Sequence, residues 1–134
     1  MLKWLQGLLK PAPVNPDAAL GPRGENAAAK YLRGLGYKII TRNFQTDLGE
    51  IDIVARDGKT LVFVEVKTRA DDATPPEAQV NEHKQHQLTK VGKLYLSRYG
   101  TPQPPARFDV VAIVWPPGRQ PQIRHHKHAF EATF

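Results

Sequence analysis

The chain of 134 residues contains no cysteine. Disulfide staples, thiolate metal sites and a cysteine nucleophile are excluded with it, and nothing points to an oxidising compartment. The sequence also lacks any apolar run approaching the ~18 residues of a membrane span. Its opening, MLKWLQGLLKPAP, is too short and too interrupted for a secretory signal, with Pro11 and Pro13 following at once. The cytoplasm is the expected location. There is no Walker A loop, no dinucleotide fingerprint and no Ser-His-Asp arrangement, so no small-molecule cofactor is expected. Acid is scarce: 13 Asp and Glu stand against 19 Lys and Arg, for a formal charge of +6. That excess favours a polyanionic partner, nucleic acid ahead of an anionic membrane.

What is present is a globular composition, 40% hydrophobic and 24% charged, in a length that suits one domain with one core. Residues 1–20 read as a flexible or loosely docked appendage. Trp4, Leu5, Leu8 and Leu9 could form one side of a short helix, and PAPVNPDAALGP reads as loop. An amphipathic anchor is the competing reading of this segment. Residues 21–134 form the domain. The pattern predicts a helix over 23–35, with Ala27, Ala28, Tyr31, Leu32 and Leu35 in one stripe and Gly36 just past its end. Strands are predicted over 37–43, 49–56 and 60–67, the last two joined through Asp57-Gly58. Residues 69–80 carry Pro-Pro among polar residues and read as a mobile surface loop. A second helix over 81–99 buries Leu88, Val91, Tyr95 and Tyr99, and strands follow at 107–115 and 121–130. The order αβββαββ predicts an α/β fold: a mixed five-stranded sheet flanked by helices.

Three carboxylates and a lysine interrupt the apolar runs of the central hairpin, at Glu50, Asp52, Glu65 and Lys67. Side chains alternate along a strand. With Asp57-Gly58 as a two-residue turn, Arg56 faces Lys59, Glu50 faces Glu65 and Asp52 faces Phe63. All four ionisable groups then share one side of the sheet. Like charges opposed on a sheet are destabilising, and burying them costs more. A lysine, a divalent cation or protonation can compensate, or the groups can reach solvent at the sheet end. Lys67 can neutralise only one charge, whereas clustered hard oxygens suit Mg²⁺ or Mn²⁺.

Asp52, then Glu65-Val66-Lys67 thirteen residues on, resembles the PD-(D/E)xK nuclease signature, with Ile51 in place of the usual proline. The segments GENAAAKYLRGLGYKIITRN, GEIDIVARDG, LVFVEVKTR, NEHKQHQLTKVGKLYL and RFDVVAI, in that order, resemble the YraN family. The resemblance runs from about Gly21 to Phe130. That family is similar to archaeal Holliday-junction resolvases and falls in the restriction-endonuclease-like superfamily. The resemblance implies a Mg²⁺-dependent endonuclease acting on DNA, on branched or single-stranded structures. It implies that Asp52 and Glu65 ligate the ion with the Val66 carbonyl, and that Lys67 orients water. It implies that Glu25 completes the site, and that Glu50 lies behind it. It also implies a homodimer, since two strands must be cut.

Other residues carry open alternatives. Glu25 also reads as a first-turn acid favoured by the helix dipole. Lys84 borders an apolar stripe and either snorkels outward or contacts phosphate. Thr68 and Arg69 follow the motif strand and are placed to meet a nucleic-acid backbone. Arg107 and Asp109 read as a structural pair. His125, His126 and His128 read as a basic solvated strand rather than a zinc site. Two rivals to the enzyme remain. One is a nucleic-acid-binding module that keeps the fold with little or no catalysis. The other is an interaction protein in DNA repair or envelope-linked processes, with the apolar N-terminus as its contact.

Overall fold

The computed structural model describes residues 16–133. The expected helix around Trp4, Leu5, Leu8 and Leu9, and any anchoring role for residues 1–15, lie outside the described residues. Helix α1 (Pro16–Gly34) is followed by β1 (Lys38–Thr46), β2 (Gly49–Asp57) and β3 (Thr60–Arg69). A short 3-10 turn (Pro76–Gln79) leads into α2 (Glu82–Leu96), then β4 (Ala106–Val114) and β5 (Gln122–Phe130). The expected order αβββαββ therefore holds.

Helix α1 starts at Pro16 rather than at residue 23, and Pro22 sits inside it. The stretch from Pro16 to Pro22, expected as loop, is helical. Leu20 is buried at the domain surface, and that packing extends the helix despite the hydrogen bond a proline forfeits. The buried face is Ala28, Ala29 and Leu32. It is turned slightly from the expected stripe: Ala27 and Tyr31 are half-buried, and Leu35 is 47% exposed. Alanines bring the helix backbone close to the sheet. Gly36, at φ 91°, ends the helix as the sequence suggested. The Tyr37 N–H donates to the Leu32 carbonyl at 3.0 Å and the Gly36 N–H to the Arg33 carbonyl at 2.9 Å, a Schellman motif. Helix α2 begins at Asn81, whose side chain accepts the Lys84 N–H at 3.0 Å. It buries Leu88, Val91 and Tyr95 and ends at Leu96, short of the expected residue 99.

The sheet order is β1-β2-β3-β4-β5. All neighbours are antiparallel except β3 and β4. A parallel pair needs a crossover, and α2 provides it. Each helix covers one face. Ile53, Ala55, Val62, Val64, Val111 and Ile113 pack with α1, while Phe63, Leu61, Val54, Phe108 and Val110 pack with α2. β3 lies between them and is buried on both faces from Leu61 to Glu65. This is the restriction-endonuclease-like architecture. Among the described residues no helix is long and apolar enough to cross a membrane.

Three local expectations are corrected. First, the hairpin pairs Asp57 with Thr60 around Gly58-Lys59, so Arg56 faces Leu61 and Val54 faces Phe63. Gly58 takes φ 60°, which places it first in the two-residue loop. The ladder has slipped by two residues, an even step that keeps every side chain of the paired region on its face. Second, the alternation of β2 breaks at Asp52: Ile51 joins Val54 and Phe63 on the α2 side, while Ile53 joins the α1 side. Opposite the break, Asn43 of β1 takes φ 55°, and Phe44 beyond it packs with the α2 core. A left-handed residue within a strand turns the chain and re-aims the side chains beyond it. Third, the loop after β3 is pinned, not loose. Arg124 of β5 donates to both Asp72 oxygens at 2.9 Å and to both Glu77 oxygens at 2.7 and 2.9 Å, and Pro76 is buried.

The histidine strand is more than a solvated basic strand. Asp109, fully buried, accepts from His125 Nε2 at 2.7 Å, Arg107 Nε at 3.0 Å and the His128 N–H at 3.0 Å. Burial pulls its carboxyl up, but these bonds outweigh it and hold it below the usual carboxylate range. Tyr31 bonds the other His125 nitrogen at 3.2 Å. The expected Arg107–Asp109 pair is thus the centre of a larger buried network.

Candidate active site

The β2–β3 ladder runs from the hairpin to the pair Ile53–Val64 and stops. Asp52 comes next, where the strands part. Its Oδ2 accepts the main-chain N–H of Val66 at 2.8 Å. The side chain thereby supplies the acceptor that the ended ladder no longer provides. The fork opens a cleft of about 710 Å³, walled by Asp52, Val66, Lys67, Thr68 and Arg69 from the strands. Glu25 and Asn26 of α1, Arg42 and Asn43 of β1, and Gln79 of the pinned loop complete the wall.

Glu65 lies behind this wall, 5% exposed. Its Oε1 is 3.7 Å from Lys67 Nζ and 3.8 Å from Lys84 Nζ. Its carboxyl and that of Asp52 are close enough for each to bear on the other's ionisation. Burial, then the charge of Asp52, push Glu65 up to about 8, against the opposing pull of Lys84 and Lys67. Asp52 is also raised, first by burial and then by Glu25 and Glu50, with the Val66 N–H opposing. Both carboxyls are thus held above their ordinary range, and an ionised Asp52 makes Glu65 harder to ionise.

Glu25 reaches the cleft because α1 sits hard against β3. A Cβ on Gly24 would overlap the Thr68 hydroxyl, which is buried and has no hydrogen-bond partner. The Glu25 carboxylate accepts from Arg42 Nε at 3.1 Å and from Asn43 Nδ2 at 3.0 Å. It is therefore oriented by β1 and not by the helix terminus. Glu50 is exposed and accepts from Gln45 Nε2 at 3.3 Å. It acts on Asp52 through charge alone.

The structure thus gathers Asp52, Glu25, Val66, Lys67, Thr68 and Arg69 in one cleft, with Glu65 directly behind. Glu50 and Lys84 line a separate shallow depression, so the four hairpin groups do not share a single face as the ideal alternation implied. Arg42, Asn43, Gly24 and Gln79 escaped the sequence reading. Only Asn43 carried a signal, since asparagine tolerates the left-handed region. The pairing of Arg42 with Glu25 spans two elements and leaves no local trace.

Among the described residues no three His, Asp or Glu side chains form a ready cage for an ion. Mg²⁺ does not ask for one, because it keeps several waters and takes one or two carboxylates. A half-buried Asp52 and a buried Glu65, both held above their ordinary range, mark a site whose negative charge exceeds its internal compensation. Their all-oxygen chemistry, with Val66 on the cleft wall, fits a hard divalent cation.

The model of the Uncharacterised protein family UPF0102 matches residues 24–113. Its span runs from the Gly24 contact through the fork to the middle of the sheet. A UPF0102 protein of Geotalea uraniireducens is 49% identical over 119 residues, covering 88% of this chain and 94% of the relative. One from Geobacter sulfurreducens is 50% identical over 116 residues, covering 86% and 91%. One from Symbiobacterium thermophilum is 47% identical over 115 residues, covering 84% and 97%. With a family match over most of the chain and relatives near half identity along almost their whole length, this chain belongs to the UPF0102 family, the YraN family that its motifs resemble.

Proposed function

We propose that the chain is a Mg²⁺- or Mn²⁺-dependent endonuclease that hydrolyses phosphodiester bonds in DNA, in branched or single-stranded structures. The observation that carries this reading is the cleft lined by Asp52, Lys67 and Glu25, with the buried Glu65 carboxyl directly behind Asp52 and 3.7 Å from Lys67. Asp52 and Glu65, with the Val66 carbonyl, would hold the ion. When bound, it supplies a Lewis acid that acidifies water and stabilises charge on the phosphate. Lys67 orients the attacking water and balances charge on the phosphoryl oxygens. Glu25, fixed by Arg42 and Asn43, hydrogen-bonds water on the α1 side. Thr68 and Arg69 lie where the sugar-phosphate backbone would pass. The formal charge of +6 agrees with such a substrate. The reading places the protein in the cytoplasm, and cutting paired strands would require two copies.

A second reading is favoured by one feature: Glu65 is tied to Lys67 and Lys84 and does not itself line the cleft. In that reading the protein binds nucleic acid through this fold without cutting it. The deciding experiment incubates the purified protein with labelled duplex, single-stranded, flap and four-way-junction DNA in Mg²⁺ or Mn²⁺. Cleavage that is lost in both Asp52→Asn and Lys67→Ala supports the endonuclease. Binding without cleavage, unchanged in both variants, would replace it with the binding module.

A further inference from the structure

At least five cations of the described residues meet a carboxylate, and two of α1 that border one groove are not among them. Arg42, Arg107 and Arg124 each meet a carboxylate at 3.1 Å or closer. Lys67 and Lys84 both meet Glu65. Arg23 and Lys30 meet no carboxylate among the described residues. Both are exposed, and the i, i+7 spacing puts them on one side of the helix.

Both border a groove of about 760 Å³ between α1 and the β4–β5 connection. Its floor is apolar: Tyr31 and Leu35 on one side, Trp115, Pro121 and Ile123 on the other. Leu35 is among the most exposed large hydrophobic residues described, at 47%. No Asp or Glu lines the groove. The Arg23 guanidinium lies 4.2 Å over the Trp115 ring. Stacking of this kind fixes the plane of the guanidinium and keeps its N–H donors for a carboxylate. The groove shares only Asn26 with the acidic cleft, so an occupant here leaves that cleft open.

We propose that this groove docks an acidic segment of a partner protein that carries an aromatic or large aliphatic anchor. The anchor fills the apolar floor, and flanking carboxylates pair with Arg23 and Lys30. A nucleic-acid strand fits less well. One face of Trp115 is covered by Arg23, its indole N–H is spent on the Arg119 carbonyl at 2.9 Å, and the Tyr31 hydroxyl bonds His125. Groups that would read or stack a base are therefore occupied, and the free floor is largely aliphatic. Such a site has the anatomy of a protein interface, with an apolar centre and a charged rim. It is independent of whether the acidic cleft cuts DNA.

The test uses the full chain with Trp4→Phe, which leaves Trp115 as its one tryptophan. The probe is the synthetic peptide GDDEFLDLDG, titrated at physiological salt while Trp115 emission is followed. The expected result is saturable binding that shifts Trp115 emission. Lys30→Glu and Leu35→Asp, both at exposed positions, should each weaken it at least about tenfold, with unchanged far-ultraviolet circular dichroism. Equal binding of a peptide with lysine in place of every acid would overturn the proposal, as would binding indifferent to both substitutions. A ten-nucleotide oligothymidylate that shifts Trp115 while the peptide does not would assign the groove to nucleic acid instead. Self-association abolished by Leu35→Asp in sedimentation, with no peptide binding, would assign it to a second copy of the chain.

Discussion

In the protein free of divalent ions, Glu65 should oppose folding as pH rises, and the size of the effect can be worked out. Its carboxyl moves from 4.5 to about 8 on folding. Between those values the unfolded chain releases the proton and the folded chain keeps it. The folded state then binds more protons, so stability falls as pH rises across this window. At 1.36 kcal/mol per pH unit, the ceiling is about 5 kcal/mol by pH 8. That is large beside a total of roughly 5–15 kcal/mol for a domain. Glu65→Gln copies the protonated carboxyl, keeps a donor for Asp52 and cannot ionise. Urea denaturation in EDTA at pH 5 and pH 8 should therefore show a variant near wild type at pH 5 and clearly more stable at pH 8. Adding Mg²⁺ at pH 8 should raise wild-type stability and leave the variant unmoved. A stability difference that is the same at both pH values would refute the reasoning, because it would mean Glu65 is ionised in the folded state or protonated in neither.

Divalent-ion binding should also displace that proton: calorimetry in buffers of different ionisation enthalpy should read about 0.9 protons released at pH 7, falling to about 0.1 at pH 9. Asp109→Ala removes the acceptor of His125 and of the His128 N–H, leaves Arg107 with Asp57 and Tyr37 alone and opens a cavity; it should cost about 3–5 kcal/mol, measured by urea denaturation, while circular dichroism reports whether the fold survives. Gly24→Ala drives a Cβ into Thr68 and should cost about 1–3 kcal/mol; it should also weaken ion binding by shifting Glu25, and Thr68→Ala should recover part of both. Arg124→Ala frees Asp72 and Glu77, so limited proteolysis should cut within residues 70–79 faster than in wild type, with little change in Tm.

The order of elements was legible because each long segment carried one clean period. The stripes of α2 and the apolar run of β3 could hardly be read otherwise. The candidate site was legible for a different reason: Asp52, Glu65 and Lys67 contradict the core around them, and the structure brings these three together while it sets Glu50 apart. What the sequence concealed was geometry set by other segments. The slip of the hairpin by two residues satisfies the same alternation as the ideal turn, so no pattern distinguishes them. The break at Asp52 depends on Asn43, a strand away. His125 sits among exposed neighbours in HHKH, and only its pairing with Asp109 explains its burial. The start of α1 at Pro16 follows from packing of Leu20, which local propensity disfavours.

β3 is paired on both edges from Leu61 to Val64 and buried from Leu61 to Glu65, and Lys67 lies just beyond that stretch, paired with β4 alone. Amide hydrogens from Leu61 to Val64 should exchange only when the whole domain opens. The candidate site thus begins where the least yielding part of the molecule ends. Substitutions at the cleft rim, the pinned loop and helix α1 can change what the cleft admits at small cost to the fold, whereas loosening β3 would loosen everything. By the same logic, loss of an individual carboxylate or of the lysine would change the chemistry of the cleft while the backbone stayed intact. Such a change would appear as chemical silence inside a stable fold.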